Sequence, residues 1–333
     1  MKKAVLASAV IAVIASGSTL AATVYDSEGT ELKVGGRVEF RGDFIGSKGA
    51  EVEGTMEDKS RARLNLKGKT DLNDDLTGFA VYEAEQGTGK DSFENRYMYA
   101  GLETGFGEFS AGRQDTAAVL ITDLTDISEF SGLQQYIDAA SDKEDSTFAY
   151  RGKFDALQLQ ASFTANNESD SDGFGLAALY ALPMGLDLGA AYSKADLNKD
   201  YQQSSALFGA AYSLDALYLA ITYSFGDNDN LDQDTPANSH KSEFTALEAA
   251  VAYKFTDQIT AKLVYGKAED ENTDAKTKAD SADFFEVVGY YKFNGNLSSY
   301  VSYMSNGLKE VKDADGVVVS GEDTLRLGIK YGF

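Results

Sequence analysis

The chain has 333 residues with 32 Gly, 19 Tyr, 19 Phe, 2 Pro, one His and no Cys. Without Cys there is no disulfide framework and no thiol chemistry. The single His240 lacks the partners that a metal centre or a nucleophile–His pair requires, so it reads as a solvated loop residue. A formal charge of −23, which becomes −25 once Lys2 and Lys3 are set aside, repels the phosphates of nucleic acid and excludes that partner class.

In chain order, the first element is an export signal. Lys2 and Lys3 precede an apolar run from Ala4 to Ala15, and small residues follow to Thr19-Leu20-Ala21. That is a charged region, an apolar region and a cleavage site. Residues 1–21 are expected to be removed, with 22–333 forming one mature domain. The apolar run is short of the roughly 20 residues of a spanning helix, and no later run is longer. Any membrane insertion must therefore use a closed barrel, because unpaired strand edges are not tolerated in lipid.

Period-two alternation begins at Leu32–Arg41, where Leu32, Val34, Val38 and Phe40 oppose Lys33, Arg37, Glu39 and Arg41. In Lys59–Lys69, Ala62, Leu64 and Leu66 oppose Arg61, Arg63, Asn65, Lys67 and Lys69, and the turn is placed at residues 70–75. Four basic side chains on one strand face must line water, since lipid would not accept them. The scheme repeats through Leu157–Thr164, Leu217–Phe225 and Leu247–Phe255. Tight Gly- and Asn-containing turns alternate with long acidic loops, the signature of short periplasmic turns and long extracellular loops. About sixteen strands result, centred near 35, 64, 81, 99, 110, 150, 161, 178, 191, 209, 221, 249, 264, 289, 301 and 328. Aromatics near strand ends (Tyr97 and Tyr99, Tyr253 and Phe255, Tyr290, Tyr291 and Phe293, Tyr331 and Phe333) read as interfacial girdles.

Residues 114–141 break the alternation. A loop this long that carries apolar residues must pack against something, and in a wide barrel the available place is the lumen. Asp123, Asp126 and Glu129 recur at a spacing of three, which a short helical turn would present together. The last strand, Asp323–Phe333, sets Leu325, Leu327, Ile329, Tyr331 and Phe333 against Thr324, Arg326, Gly328 and Lys330. Its length suits a tilted bilayer crossing of about 9–11 residues. The fold class is all-β, a transmembrane antiparallel β-barrel whose third loop folds into the lumen.

The segments Ala22–Asp26, Arg63–Gly68, Asp75–Phe79, Ala100-Gly101-Leu102, Gly112-Arg113-Gln114, Glu129-Phe130-Ser131-Gly132 and the terminal Phe333 together resemble the trimeric general diffusion porins of Gram-negative outer membranes. The resemblance spans the mature length. It implies a homotrimer in the outer membrane, with lipid and lipopolysaccharide around it and barrel-assembly machinery engaging the C-terminal strand at Phe333. It also implies a water-filled channel through which small hydrophilic solutes and ions diffuse. Carried over by position, the acidic side of its constriction is Asp115, Asp123, Asp126 and Glu129. The basic side is Arg63 and Arg96, with Lys143 where the family usually has arginine and Arg61 and Arg113 as neighbours. Ser128 stands where the family usually has Pro, and Ser131 where it has the first Gly.

Acidic loops predict a mild cation preference; the charge reads most plainly as a solubilising loop set, and it also suits a surface that meets divalent ions bridging lipopolysaccharide. No cofactor, metal site or enzymatic activity is expected, because neither a Ser-His-acid set nor a carboxylate pair beyond the loop acids is found. Two rivals remain. A sugar or oligosaccharide channel needs an inward aromatic ladder, for which Tyr218 and Tyr290 are too scattered. A secreted β-sandwich serving as a binding or adhesion module would have shorter strands and no use for the aromatic terminus.

Overall fold

A computed structural model describes residues 21–45, 56–130, 132–166, 171–232, 234–308, 311–312, 318–319 and 321–333. The proposed signal peptide therefore falls outside the described residues except for Ala21. So do residues 46–55 of the first long loop, parts of the last, and Ser131.

The chain opens with a hairpin, β1 (Ala22–Ser27) and β2 (Thr30–Ile45). A two-residue β3 (Glu57–Asp58) leads into β4 (Arg61–Asn73), β5 (Leu76–Gly87), β6 (Glu94–Thr104) and β7 (Gly107–Gln114). After the third long loop come β8 (Glu144–Phe154), β9 (Leu157–Thr164), β10 (Gly173–Ala181), β11 (Leu186–Asp196), β12 (Gln202–Leu214) and β13 (Leu217–Asp227). Then follow β14 (Ser242–Lys254), β15 (Ile259–Asn272), β16 (Thr277–Lys292) and β17 (Leu297–Asn306). A small hairpin, β18 (Val311–Lys312) with β19 (Val318–Val319), precedes β20 (Thr324–Gly332).

Sixteen of these strands, β2, β4 to β17 and β20, pair antiparallel with their sequence neighbours, and β20 returns to β2 to close the barrel. Each of the sixteen centres expected from alternation falls inside one of them. Closure leaves no edge in lipid, which is the condition for a sheet to span a bilayer. The seam is shared: β1 covers the first residues of β2, while β20 covers Arg37–Ile45. The hairpin partner β1 was not expected from alternation. The turn after β4 is also tighter than expected, since the strand runs on to Asn73.

Outside, the large apolar side chains are exposed, among them Phe163, Leu176, Phe208, Ile221, Val287, Leu327 and Ile329. In a water-soluble fold this surface would be untenable, and on a barrel it is the lipid face. Exposed Phe106, Phe154, Tyr253, Phe255, Tyr291, Phe293, Tyr331 and Phe333 stand at or beside the tight turns and terminus of one rim, an interfacial girdle. Tyr97, Tyr99 and Tyr290 do not join it. Tyr97 packs edge-on against Tyr99 and turns its hydroxyl to Asp115, and Tyr290 bonds to Glu129.

The apolar core lies inside the barrel. Ile121, Leu124, Ile127 and Ile137 of the third loop are buried against Ala177, Leu179, Ala191, Leu207, Ala211, Ala250, Ala252 and Val264 of the wall. The wall is built of small residues so that the loop fits: a Cβ on Gly189 would come within 2.4 Å of Ile121 Cδ1, and one on Gly209 within 2.8 Å of both Ile121 Cγ2 and Leu124 Cδ1.

Candidate pore constriction

The third loop leaves β7 at Asp115 and turns inward at once. Arg151 holds this departure, donating to the Gln114 side chain at 2.9 Å and the Asp115 carbonyl at 2.9 Å, while the Ala117 N–H donates to Ser162 Oγ at 2.9 Å. A single helical turn, α1 (Val119–Thr122), then aims Ile121 at the small-residue wall. Fully burying side chains such as Ile121 and Leu124 is worth about 1.5–3 kcal/mol each. Polar bonds fix the rest of the loop: Tyr218 donates to the Leu124 carbonyl at 2.7 Å, and Thr125 donates to Glu248 at 2.6 Å.

The loop's far end is latched to the opposite wall. Glu286 of β16 accepts from Ser128 Oγ at 2.5 Å and from the backbone N–H groups of Glu129 and Phe130 at 3.2 and 3.3 Å. Glu129 forms an ion pair with Arg41 at 2.8 Å, lies 3.9 Å from Lys330 and accepts from the Tyr290 hydroxyl. The Arg326 guanidinium donates to the Glu129 carbonyl at 2.7 Å and stacks 3.8 Å from the Phe130 ring centroid. Ser128 thus makes a side-chain bond that the proline usual at this position has no group to make.

Asp115, Asp123 and Asp126 remain on the lumen side of the loop. Asp115 accepts from the Tyr97 hydroxyl at 3.0 Å and from the Lys143 backbone N–H at 3.1 Å. Asp123 is exposed to the bore. Confinement by the surrounding protein, and then the charges of Asp115 and Asp126, raise its carboxyl well above the usual carboxylate range, with Lys143 opposing. Burial, then Arg96, lowers the Lys143 amine to about 8 against the pull of Asp115.

The basic side is a wall feature. Strand parity turns Arg61 and Arg63 of β4 inward, opposite the outward Ala62 and Leu64. Arg96 arrives differently: the β5–β6 register slips between Glu83–Tyr97 and Ala84–Asn95, and this bulge frees Arg96 to reach Glu83 at 2.7 Å. Arg113 is not brought to this group. It pairs across β6 with Met98, which is exposed on the lipid side, and it bonds to the Asn95 carbonyl at 2.9 Å and to Asp145 at 3.0 Å. Directly opposed residues share a face, so Arg113 belongs to the outer surface near the rim.

The constriction also holds residues that sequence reasoning left out. Glu39 is fully buried among Arg61 at 2.8 Å, Arg41 at 3.1 Å, Lys330 at 3.9 Å, Arg37 at 4.0 Å and the Tyr300 hydroxyl at 2.7 Å. Glu83 and Glu85 of β5 sit beside Arg96 and Arg63. The available signal was parity, since Arg37, Glu39 and Arg41 alternate with Val38 and Phe40 and so share the inward face.

A closed sixteen-stranded barrel, apolar outside, charged within and narrowed by its own third loop, defines a bacterial outer-membrane β-barrel of the porin class. The chain belongs to the Gram-negative porin family, whose model matches residues 7–310. It is a multi-pass outer-membrane protein. Outer membrane protein U of Vibrio vulnificus is 34% identical over 364 residues, and Porin-like protein L of Photobacterium profundum is 32% identical over 352, each alignment covering all of both chains. Among solved structures, OmpF of Salmonella typhi, determined with daunomycin, superposes with a TM-score of 0.81 at 23% identity over 94% of this chain and 100% of that one. OmpT of Vibrio cholerae in its trimer form superposes with a TM-score of 0.72 at 17% identity over 92% of this chain and 100% of that one.

Proposed function

We propose that the chain forms a water-filled channel for passive diffusion of small hydrophilic solutes and ions, with a mild preference for cations. The observation that carries this reading is the third loop docked inside the barrel; in this reading its acids Asp115, Asp123 and Asp126 line the bore together with Arg63 and Arg96 of the wall and Lys143 just before β8. Opposed charges across a narrow bore orient polar solutes and penalise apolar ones, while the width sets the size limit. Nothing is chemically turned over. The working unit is a homotrimer, in keeping with the trimeric OmpT structure it superposes on. Residues 1–21 act as the export signal, and the mature chain starts at Ala22.

Planar-bilayer recording of the purified mature protein tests the reading. Ohmic current steps are expected, with a reversal potential in a KCl gradient on the potassium side. Absence of current, or a reversal potential on the chloride side, would refute the channel or its cation preference respectively.

A further inference from the structure

We infer that two carboxylates of the barrel wall, Glu83 and Glu85 on β5, set the ion preference of the pore by neutralising the basic ladder from its own side. The inference rests on the channel reading and names the residues that fix its selectivity. Register places them: Glu85 lies directly across from Arg63, and Glu83 directly across from Asn65. Glu85 accepts from Arg63 Nε and lies 3.5 Å from Arg61 Nη1. Glu83 accepts from Arg96 Nε at 2.7 Å and from Asn65 Nδ2 at 3.1 Å, and lies 3.9 Å from Arg63.

Each of these arginines therefore carries its counter-charge within a few ångströms. That separation is well inside the Debye length of about 8 Å at physiological ionic strength, so the pair acts on a passing ion as a dipole and not as a cation. Of the loop acids, Asp115 accepts from two neutral donors, the Tyr97 hydroxyl and the Lys143 backbone N–H, and Asp123 stands open to the bore. With the two glutamates neutral, Arg63 and Arg96 would lose the carboxylates they pair with, while Arg61 would keep Glu39 at 2.8 Å.

The test is E83Q/E85Q, in which Gln keeps the shape and the hydrogen-bonding oxygen of each side chain, with reversal potentials read in a KCl gradient. The potassium-to-chloride permeability ratio is expected to fall by about threefold or more, because two fixed charges leave a confined, weakly screened bore. Adding R63Q/R96Q to that variant should return the ratio toward the native value. A conducting E83Q/E85Q channel with the native ratio overturns the inference. Should that variant not insert, R63Q/R96Q alone removes both arginines that Glu83 pairs with and leaves Glu85 only Arg61. Its ratio is expected to rise, and an unchanged ratio overturns the inference equally. A native protein that passes no current fails the channel reading itself, an outcome distinct from a native channel indifferent to the glutamates.

Discussion

Glu129 and Arg41 meet at 2.8 Å across the bore, joining the end of the third loop to β2, away from the strands β10 to β15 on which the loop packs. Both side chains are nearly buried, at 6% and 11% exposure. Glu129 therefore works as an anchor, while Asp123 is exposed to the bore. Removing one partner of a buried pair costs about 3–5 kcal/mol, since the other charge is left uncompensated. For Glu129→Gln the expected outcome is a lower unfolding temperature in detergent and noisier open-channel current. A variant as quiet and as heat-resistant as the native channel would contradict the anchoring role.

Ile121 carries the opposite attachment. Its side chain is fully buried at the small-residue wall, with Gly189 and Gly209 making room for it. Truncating a buried Ile to Ala typically costs about 2–5 kcal/mol through lost transfer energy and a residual cavity. The barrel's own hydrogen bonds do not depend on Ile121, so Ile121→Ala should weaken loop docking more than strand pairing. Limited proteolysis is expected to cut within residues 115–141 faster than in the native protein, with the heat-induced gel shift retained. Equal protection of the loop in both proteins would contradict this.

How much of this was readable in advance depended on which physical rule applied to each part. Alternation fixes a strand's existence and its two faces, so all sixteen strand centres and the inward turn of Arg61 and Arg63 followed directly. Alternation does not say which residues oppose each other around the ring. That needs register, and register here depends on slips between Glu83 and Ala84 and between Gly112 and Gln114, which no local pattern announces. The pairing of Arg96 with Glu83, the outward placement of Arg113 and the inward turn of Tyr97 were hidden for this reason. The loop has no period at all, so its acids were found by spacing, but spacing did not separate the anchoring Glu129 from its lumen-facing neighbours.

Two groups at the constriction titrate in a way that adds. The Asp123 carboxyl is raised, so it is neutral below its shifted value and gains a negative charge as pH rises through it. The Lys143 amine is lowered to about 8, so it is charged below that value and loses its positive charge above it. Both changes make the bore more negative with increasing pH. The potassium-to-chloride ratio is expected to climb between pH 6 and pH 9, and the climb should shrink in Asp123→Asn. A ratio flat across that range, or a decrease, would show that neither group governs the field.

The seam of the barrel depends on the terminal residue. Phe333 donates its N–H to the Gly36 carbonyl at 3.0 Å and accepts from the Gly36 N–H at 2.9 Å, so the chain's last residue completes the pairing that β20 begins. Its ring lies over Gly36, where a Cβ would fall 2.6 Å from Phe333 Cζ and 2.5 Å from the Arg63 carbonyl. Deleting Phe333 removes two closure bonds, each worth about 0.5–1.5 kcal/mol net, along with an aromatic at the membrane interface. Gly36→Val attacks the same seam from the other strand, by a clash with backbone that cannot rotate away. Both variants are expected to refold in detergent to a smaller heat-modifiable fraction than the native chain. Phe333→Tyr, which keeps the backbone pairing and an interfacial ring, should refold as the native protein does. If deletion and Phe333→Tyr refold equally well, the seam does not rely on this residue.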